Sequence, residues 1–198
     1  MKLLLLSGFL GTGKTTLLLE IAGKLTVDFK KIAIIENEMG EIGIDNKYLQ
    51  LKGLEVQELF GGCVCCVLSV NLVSTLKRLD ETLQPEVVII EPSGVARPGD
   101  IIDTINRYMP AIKIISVATL VDAVRYRMLF EMMRPLVTAQ IQAADIVVIN
   151  KIDQVDDETI DYIRSSAARL NPKASIKAVS AEEKTNLDTV LEQIRWKL

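Results

Sequence analysis

The chain has 198 residues, of which 26 are acidic and 23 basic, and its formal net charge is −3. That length suits one domain with a substantial core, and the balanced charge gives no electrostatic basis for a nucleic-acid or anionic-membrane partner. Histidine is absent, which excludes Ser-His-Asp and Cys-His catalysis and imidazole-built zinc sites within the chain.

At the start, Met1-Lys2 and the apolar Leu3 to Leu6 look like the head of a signal peptide. Gly8, Gly11, Gly13 and Lys14 break the run and no small-x-small cleavage site follows, so a buried first strand is predicted instead. Short apolar, β-branched-rich runs then recur at Lys31–Glu36, Glu86–Glu91, Lys113–Val121, Asp145–Asn150 and Ser175–Ser180, after the first at Lys2–Ser7. They lack in/out alternation, as strands covered on both faces do. Glu55–Leu59 reads as an additional strand. Helical spacing appears at Thr15–Lys24, Val67–Leu83, Met128–Ala144, Glu158–Leu170 and Leu187–Leu198, with Asn186 as N-cap of the last. Pro98 and Gly99 read as bounds of a loop. The alternation predicts a single three-layer α/β domain over residues 1–198, with a mostly parallel central sheet, helices on both faces and right-handed crossovers. No run has the length and purity of a membrane span.

The stretch Gly8-Phe9-Leu10-Gly11-Thr12-Gly13-Lys14-Thr15-Thr16 fits G-x-x-x-x-G-K-[ST], after a strand and opening a helix. Its glycines let backbone N–H groups turn inward around phosphate oxygens at a helix N-terminus. Lys14 is expected on the β- and γ-phosphates, and Thr15 on Mg²⁺. Asn150-Lys151-Ile152-Asp153 matches N-K-x-D at a strand end. The Asp153 carboxylate can accept the N1–H and 2-amino hydrogens of guanine, a donor pair adenine lacks. The stem of Lys151 can lie along the base, Asn150 can brace the loop or the purine edge, and the Ser180-Ala181 pair is expected to offer a backbone N–H to guanine O6.

Glu91 ends an apolar strand before Pro92-Ser93-Gly94, the position of a carboxylate that holds Mg²⁺ or its water or orients the attacking water. Gly94 could donate its N–H to the γ-phosphate. After the second strand, residues 36–45 hold four carboxylates and two glycines, the composition of a switch loop or of a solvated turn.

All three cysteines, Cys63, Cys65 and Cys66, fall inside four residues behind Gly61-Gly62. No long-range intrachain disulfide can form, which suits a reducing compartment, the cytoplasm. Thiolates so close suit a soft or borderline metal such as Zn²⁺ or Co²⁺; a redox pair and small buried residues are the competing readings. With no histidine, a fourth ligand would come from a carboxylate such as Glu36, Glu38 or Glu41, from water or from another molecule. Met128, Met132 and Met133 near Phe130 read as core or helix packing, with an adaptable partner surface as the alternative.

Together Gly8–Thr16, Ile35–Asp45, Gly62–Cys66, Glu91–Pro98, Leu120–Ala123, Gln140–Asp145 and Asn150–Asp153 resemble, in order, the CobW family of metallochaperone GTPases, relatives of UreG and HypB in the SIMIBI class. The resemblance implies a three-layer P-loop NTPase fold and a GTPase that binds GTP or GDP with Mg²⁺ and hands Zn²⁺ or Co²⁺ to a client metalloprotein or cofactor-assembly protein; slow intrinsic turnover is expected because no arginine finger can be assigned from the sequence. It implies Cys63, Cys65 and Cys66 as metal ligands, with Glu36 and Glu41 near metal or nucleotide. It also allows a homodimer. Many members carry a second, often histidine-rich, C-terminal domain, and the expectation here is the G domain alone. The alternative within the same resemblance is a G-protein chaperone that gates cofactor loading of a corrinoid or metalloenzyme and carries no metal itself.

Overall fold

The computed structural model describes residues 1–36, 55–58 and 65–197, with 55–58, 65–71, 113–115 and 196–197 described as backbone. In chain order the elements are β1 (Lys2–Gly8), α1 (Lys14–Leu25), β2 (Ile32–Glu36), β3 (Glu55–Glu58), α2 (Cys65–Thr82), β4 (Val87–Glu91), α3 (Pro98–Tyr108) and β5 (Lys113–Asp122). There follow α4 (Tyr126–Met132), α5 (Arg134–Gln142), β6 (Ile146–Asn150), a 3₁₀ turn (Ile152–Gln154), α6 (Asp157–Leu170), β7 (Ser175–Ala178) and α7 (Leu187–Lys197).

The strands form one sheet in the order β3-β2-β4-β1-β5-β6-β7, and every pair in it is parallel. Connections from β1 run outward to β2 on one side, and β5 lies on its other side. The loops leaving β1, β4, β5 and β6 therefore gather at the carboxyl edge around the point where strand order reverses, the place where open α/β sheets bind ligands.

Alternate residues of each strand feed two apolar layers. On one face Leu4, Leu6, Ile34 and Ile89 pack with Leu17, Ile21 and Leu25 of α1 and with Val190 and Ile194 of α7. On the other, Leu3, Leu5, Val88 and Ile90 pack with Leu72 and Leu76 of α2 and Ile105 of α3. Farther along that face, Val147 and Ile149 pack with residues of α4, α5 and α6. The β1 residues Leu3 to Leu6 are each at most 2% exposed, so this segment is a core strand, as read from the sequence. Burial on two faces also explains the unbroken apolar runs.

The structure departs from the sequence reading at several elements. Pro98 and Gly99 open α3 rather than bound a loop. Proline at the first helical position lacks only an N–H that would be orphaned there, and Ile101, Ile102 and Ile105 supply the apolar stripe. The predicted helix Met128–Ala144 is two helices broken at Met133–Arg134, because Pro135 cannot donate into the turn before it. Met128 and Met132 are exposed, at 48% and 73%, so the core-packing reading of those methionines is corrected. Asn186 precedes α7 with φ 60°, but its side chain donates to Ala178 O at 3.1 Å instead of accepting from the helix amides.

Candidate functional site

The phosphate loop is bent by residues that a side chain would not permit. Gly13 stands at φ 91°, and an added Cβ would overlap the Asn150 side-chain nitrogen. Gly8 has φ 140°, and its Cβ would overlap the Leu120 carbonyl. Thr12 is buried and closes the loop by donating to Phe9 O at 2.9 Å. Lys14, 6% exposed, donates to the same carbonyl at 3.3 Å, and its Nζ lies 3.8 Å from Glu91 Oε1. Thr15 Oγ1 donates to Glu91 at 3.1 and 3.3 Å. The neighbouring Lys14 and Thr15 thus meet a carboxylate 76 residues beyond Thr15 at the N-terminus of α1.

Asn150 joins this half of the site to the other. Its Nδ2 donates to Thr12 O at 2.8 Å, and its Oδ1 accepts the Ala181 N–H at 2.9 Å. It is therefore a brace between the phosphate loop and the turn after β7. The Ala181 N–H, one of the two in the Ser180-Ala181 pair expected to meet guanine O6, is engaged here by Asn150. Lys151 takes φ 66° as the chain leaves β6, which turns the backbone into the 3₁₀ turn carrying Asp153. Asp153 is exposed, and the Ser180 hydroxyl beside it holds its carboxyl below its ordinary value. Ser180 is buried and its Oγ also accepts Glu183 N–H at 3.1 Å.

Asp122, at the end of β5, was not singled out as a site residue from the sequence. It is 1% exposed. It accepts from Lys151 Nζ at 2.9 Å and Arg125 Nε at 2.8 Å, and from the Val124 N–H at 3.0 Å. Arg125 Nη2 in turn donates to Leu10 O of the phosphate loop at 2.8 Å. Burial pushes the Asp122 carboxyl up, but the hydrogen bonds and charges of Lys151 and Arg125 together outweigh it and hold Asp122 below its ordinary value. The available signal was an acid ending an apolar strand, in Leu120-Val121-Asp122-Ala123.

One cleft of about 600 Å³ is lined by residues that include Gly11, Gly13, Lys14, Thr15, Thr16, Glu91, Asn150, Lys151, Ser180 and Ala181, while Asp122 and Asp153 are not part of its lining. Gly94 does not line it; an added Cβ there would stand 2.5 Å from Leu10 N, so Gly94 lies against the back of the phosphate loop. Glu36 ends β2 as the register partner of Glu91 on one side and of Glu58 on the other. The expected switch segment Asn37–Asp45, with Glu38 and Glu41, lies outside the described residues. So does Cys63, and of Cys65 and Cys66 only the backbone is described, at the start of α2.

A model of the CobW/HypB/UreG nucleotide-binding domain matches residues 2–178. The chain belongs to the CobW/HypB/UreG family. Among relatives in that family, the zinc chaperone YjiA of Escherichia coli (strain K12) is 34% identical over 190 residues, 89% of this chain and 56% of YjiA. The zinc chaperone YeiR of the same organism is 34% identical over 160 residues, 78% of this chain and 48% of YeiR. The chain thus spans about half the length of the curated relatives it matches. A crystal structure of Zn(II)-bound YjiA GTPase aligns with TM-score 0.66 and 29% identity, covering 90% of this chain and 57% of that one. The hydrogenase maturation factor HypB from Archaeoglobus fulgidus aligns with TM-score 0.73, covering 99% of this chain and 89% of HypB. At 16% identity, that likeness speaks for the α/β three-layer fold alone.

Proposed function

We propose that this chain binds and hydrolyses GTP and uses that cycle to carry Zn²⁺ or Co²⁺ on Cys63, Cys65 and Cys66 to a client metalloprotein or cofactor-assembly protein in the cytoplasm. The observation that carries the nucleotide half is the Asn150 brace. It ties Thr12 O to Ala181 N, so the loop that cradles phosphates and the turn beside the N-K-x-D acid share one cleft.

Each residue has a task that follows from its surroundings. The backbone amides of Gly11 and of Gly13 to Thr16 would meet phosphate oxygens, while the Thr12 N–H closes the turn onto Phe9 O at 3.3 Å. Lys14, held by Phe9 O, supplies positive charge to the β- and γ-phosphates. Asp153, ionised beside Ser180, accepts the two guanine hydrogens, and Lys151, held by Asp122, covers the base plane. The Thr15 hydroxyl and the Glu91 carboxylate are 3.1 Å apart, a hard oxygen pair that fits Mg²⁺. Bound there, Mg²⁺ would neutralise phosphate charge. Glu91, which lines the cleft, would orient the attacking water; Gly94, packed against Phe9 and Leu10 outside the lining, would need its segment to shift for its N–H to reach the γ-phosphate.

The cargo half draws its support from the zinc-chaperone relatives and from topology. β3 ends at Glu58 on the sheet edge that carries the phosphate loop, and α2 begins at Cys65. Glu36 lies in register between Glu58 and Glu91 and is, with Glu41, a further proposed ligand. A nucleotide-dependent change at this edge would alter metal affinity. The test is titration of Zn²⁺ or Co²⁺ into protein holding a non-hydrolysable GTP analogue or GDP. A difference of about 100-fold, ~2.7 kcal/mol of coupling, is expected. Equal affinities would remove the coupling, and unchanged metal stoichiometry after serine replacement of all three cysteines would remove the thiolate site.

A further inference from the structure

The segment after Glu91 is held from behind by one buried amide. Gln140, on α5, is 3% exposed. Its Nε2 donates to Gly94 O and to Ala96 O, each at 3.1 Å. Its own backbone carbonyl accepts from Thr119 Oγ1 at 2.9 Å, and Thr119 is buried in β5 as the register partner of Ser7, directly ahead of the phosphate loop. The amide is therefore anchored to the sheet and spends both its N–H groups on two carbonyls of a loop that has no strand or helix bonds of its own at those positions.

The same loop meets the phosphate loop on its other side. A Cβ at Gly94 would lie 2.5 Å from Leu10 N and 3.0 Å from Phe9 C, so Gly94 is wedged between the phosphate loop and Gln140. Across a trans peptide the C=O and the following N–H point opposite ways. With the Gly94 and Ala96 carbonyls turned onto Gln140, the N–H groups of Val95 and Arg97 point away from α5.

We infer that Gln140 is a positioning residue: it fixes the orientation of the Gly94–Ala96 backbone against the phosphate loop, and GTP hydrolysis depends on it more than nucleotide capture does. The inference rests on the GTPase reading above. Capture of GDP draws on Lys14, Asn150 and Asp153, and no hydrogen bond joins Gln140 to those residues among the described contacts. The segment it holds follows the Glu91 carboxylate, where the terminal phosphate must be sensed. An amide that orients two peptide groups contributes by pre-organising donors before reaction.

The experiment compares wild-type protein with Gln140→Met and Gln140→Glu, which keep the side chain's length while removing the donor. Three readouts are taken: kcat and KM for GTP, affinity for GDP, and amide hydrogen exchange of residues 93–97 in nucleotide-free protein. The inference predicts kcat lower by about 10-fold or more, GDP affinity within about 2-fold of wild type, and faster exchange confined to 93–97. Wild-type kcat and exchange in either folded variant would overturn it. So would a parallel fall in GDP affinity, which marks a general loss of structure. Should the wild-type protein itself hydrolyse no GTP, the GTPase reading fails by its own control. The exchange readout then still decides whether Gln140 holds the loop, and unchanged exchange rejects that.

Discussion

Asp122 and Asp153 are both held in the charged form, yet their surroundings give them different work. Asp153 is exposed beside the Ser180 hydroxyl, where the proposed function has it accept hydrogens from a base. Replacing it by Asn converts one acceptor into a donor. Asp153→Asn should weaken GTP binding by about 100-fold or more while xanthosine triphosphate, whose 2-oxo group accepts that donor, gains affinity. Competition binding with the two nucleotides checks this. Asp122 is buried and spends its oxygens on Lys151 and Arg125. Its folded pKa lies below its ordinary value of 3.8. The stability it contributes is therefore complete above the unfolded value and is lost as pH falls through the lower folded one. Asp122→Asn should be less stable at neutral pH by about 1–3 kcal/mol, toward the low end because Lys151 and Arg125 are 31% and 36% exposed. It should also lack the part of the acid loss seen in wild type below about pH 4. Urea unfolding at several pH values reads both effects. Asp153 could be singled out from the sequence because its motif is contiguous, and the role of Asp122 as a brace shows how the fold adds to such a reading. That brace was not legible, since the partners of Asp122, Lys151 and Leu10 (through Arg125), are distant in sequence and meet only in the fold.

At the scale of elements, strands were the most legible because burial on both faces leaves unbroken apolar runs, as in Val87–Glu91 and Ile146–Asn150. Helices were harder where proline intervened. Pro98 marks the start of α3 and Pro135 the start of α5, and neither the loop reading of the first nor the continuous helix through the second survived. The hydrogen bond from Tyr126 to Ser166 at 2.9 Å ties α4 to α6. Tyr126 is 2% exposed and stacks on Phe130, with ring centroids 5.7 Å apart. Tyr126→Phe keeps the ring and strands a buried serine hydroxyl. It should cost about 1–2 kcal/mol in urea unfolding and leave nucleotide affinity unchanged, since no atom of Tyr126 lines the cleft. A loss of nucleotide affinity would instead show that α4 carries the site.

For the whole molecule, the decisive arrangement is a parallel sheet whose carboxyl edge collects the phosphate loop, the Glu91 segment, Asp122 and the Asn150–Asp153 turn. Family membership over residues 2–178 and the sheet order agree with the architecture expected from the sequence. The cysteine element runs from just before α2 into its first residues, and the proposed function has a metal sense nucleotide state there. The central claim remains that one cleft binds a triphosphate and selects guanine. Calorimetric titration of the folded protein with GTP and with ATP, each with Mg²⁺, tests it most directly. One GTP per chain is predicted, with ATP weaker by about 100-fold or more; equal affinity for the two nucleotides, or no affinity for GTP, would contradict it.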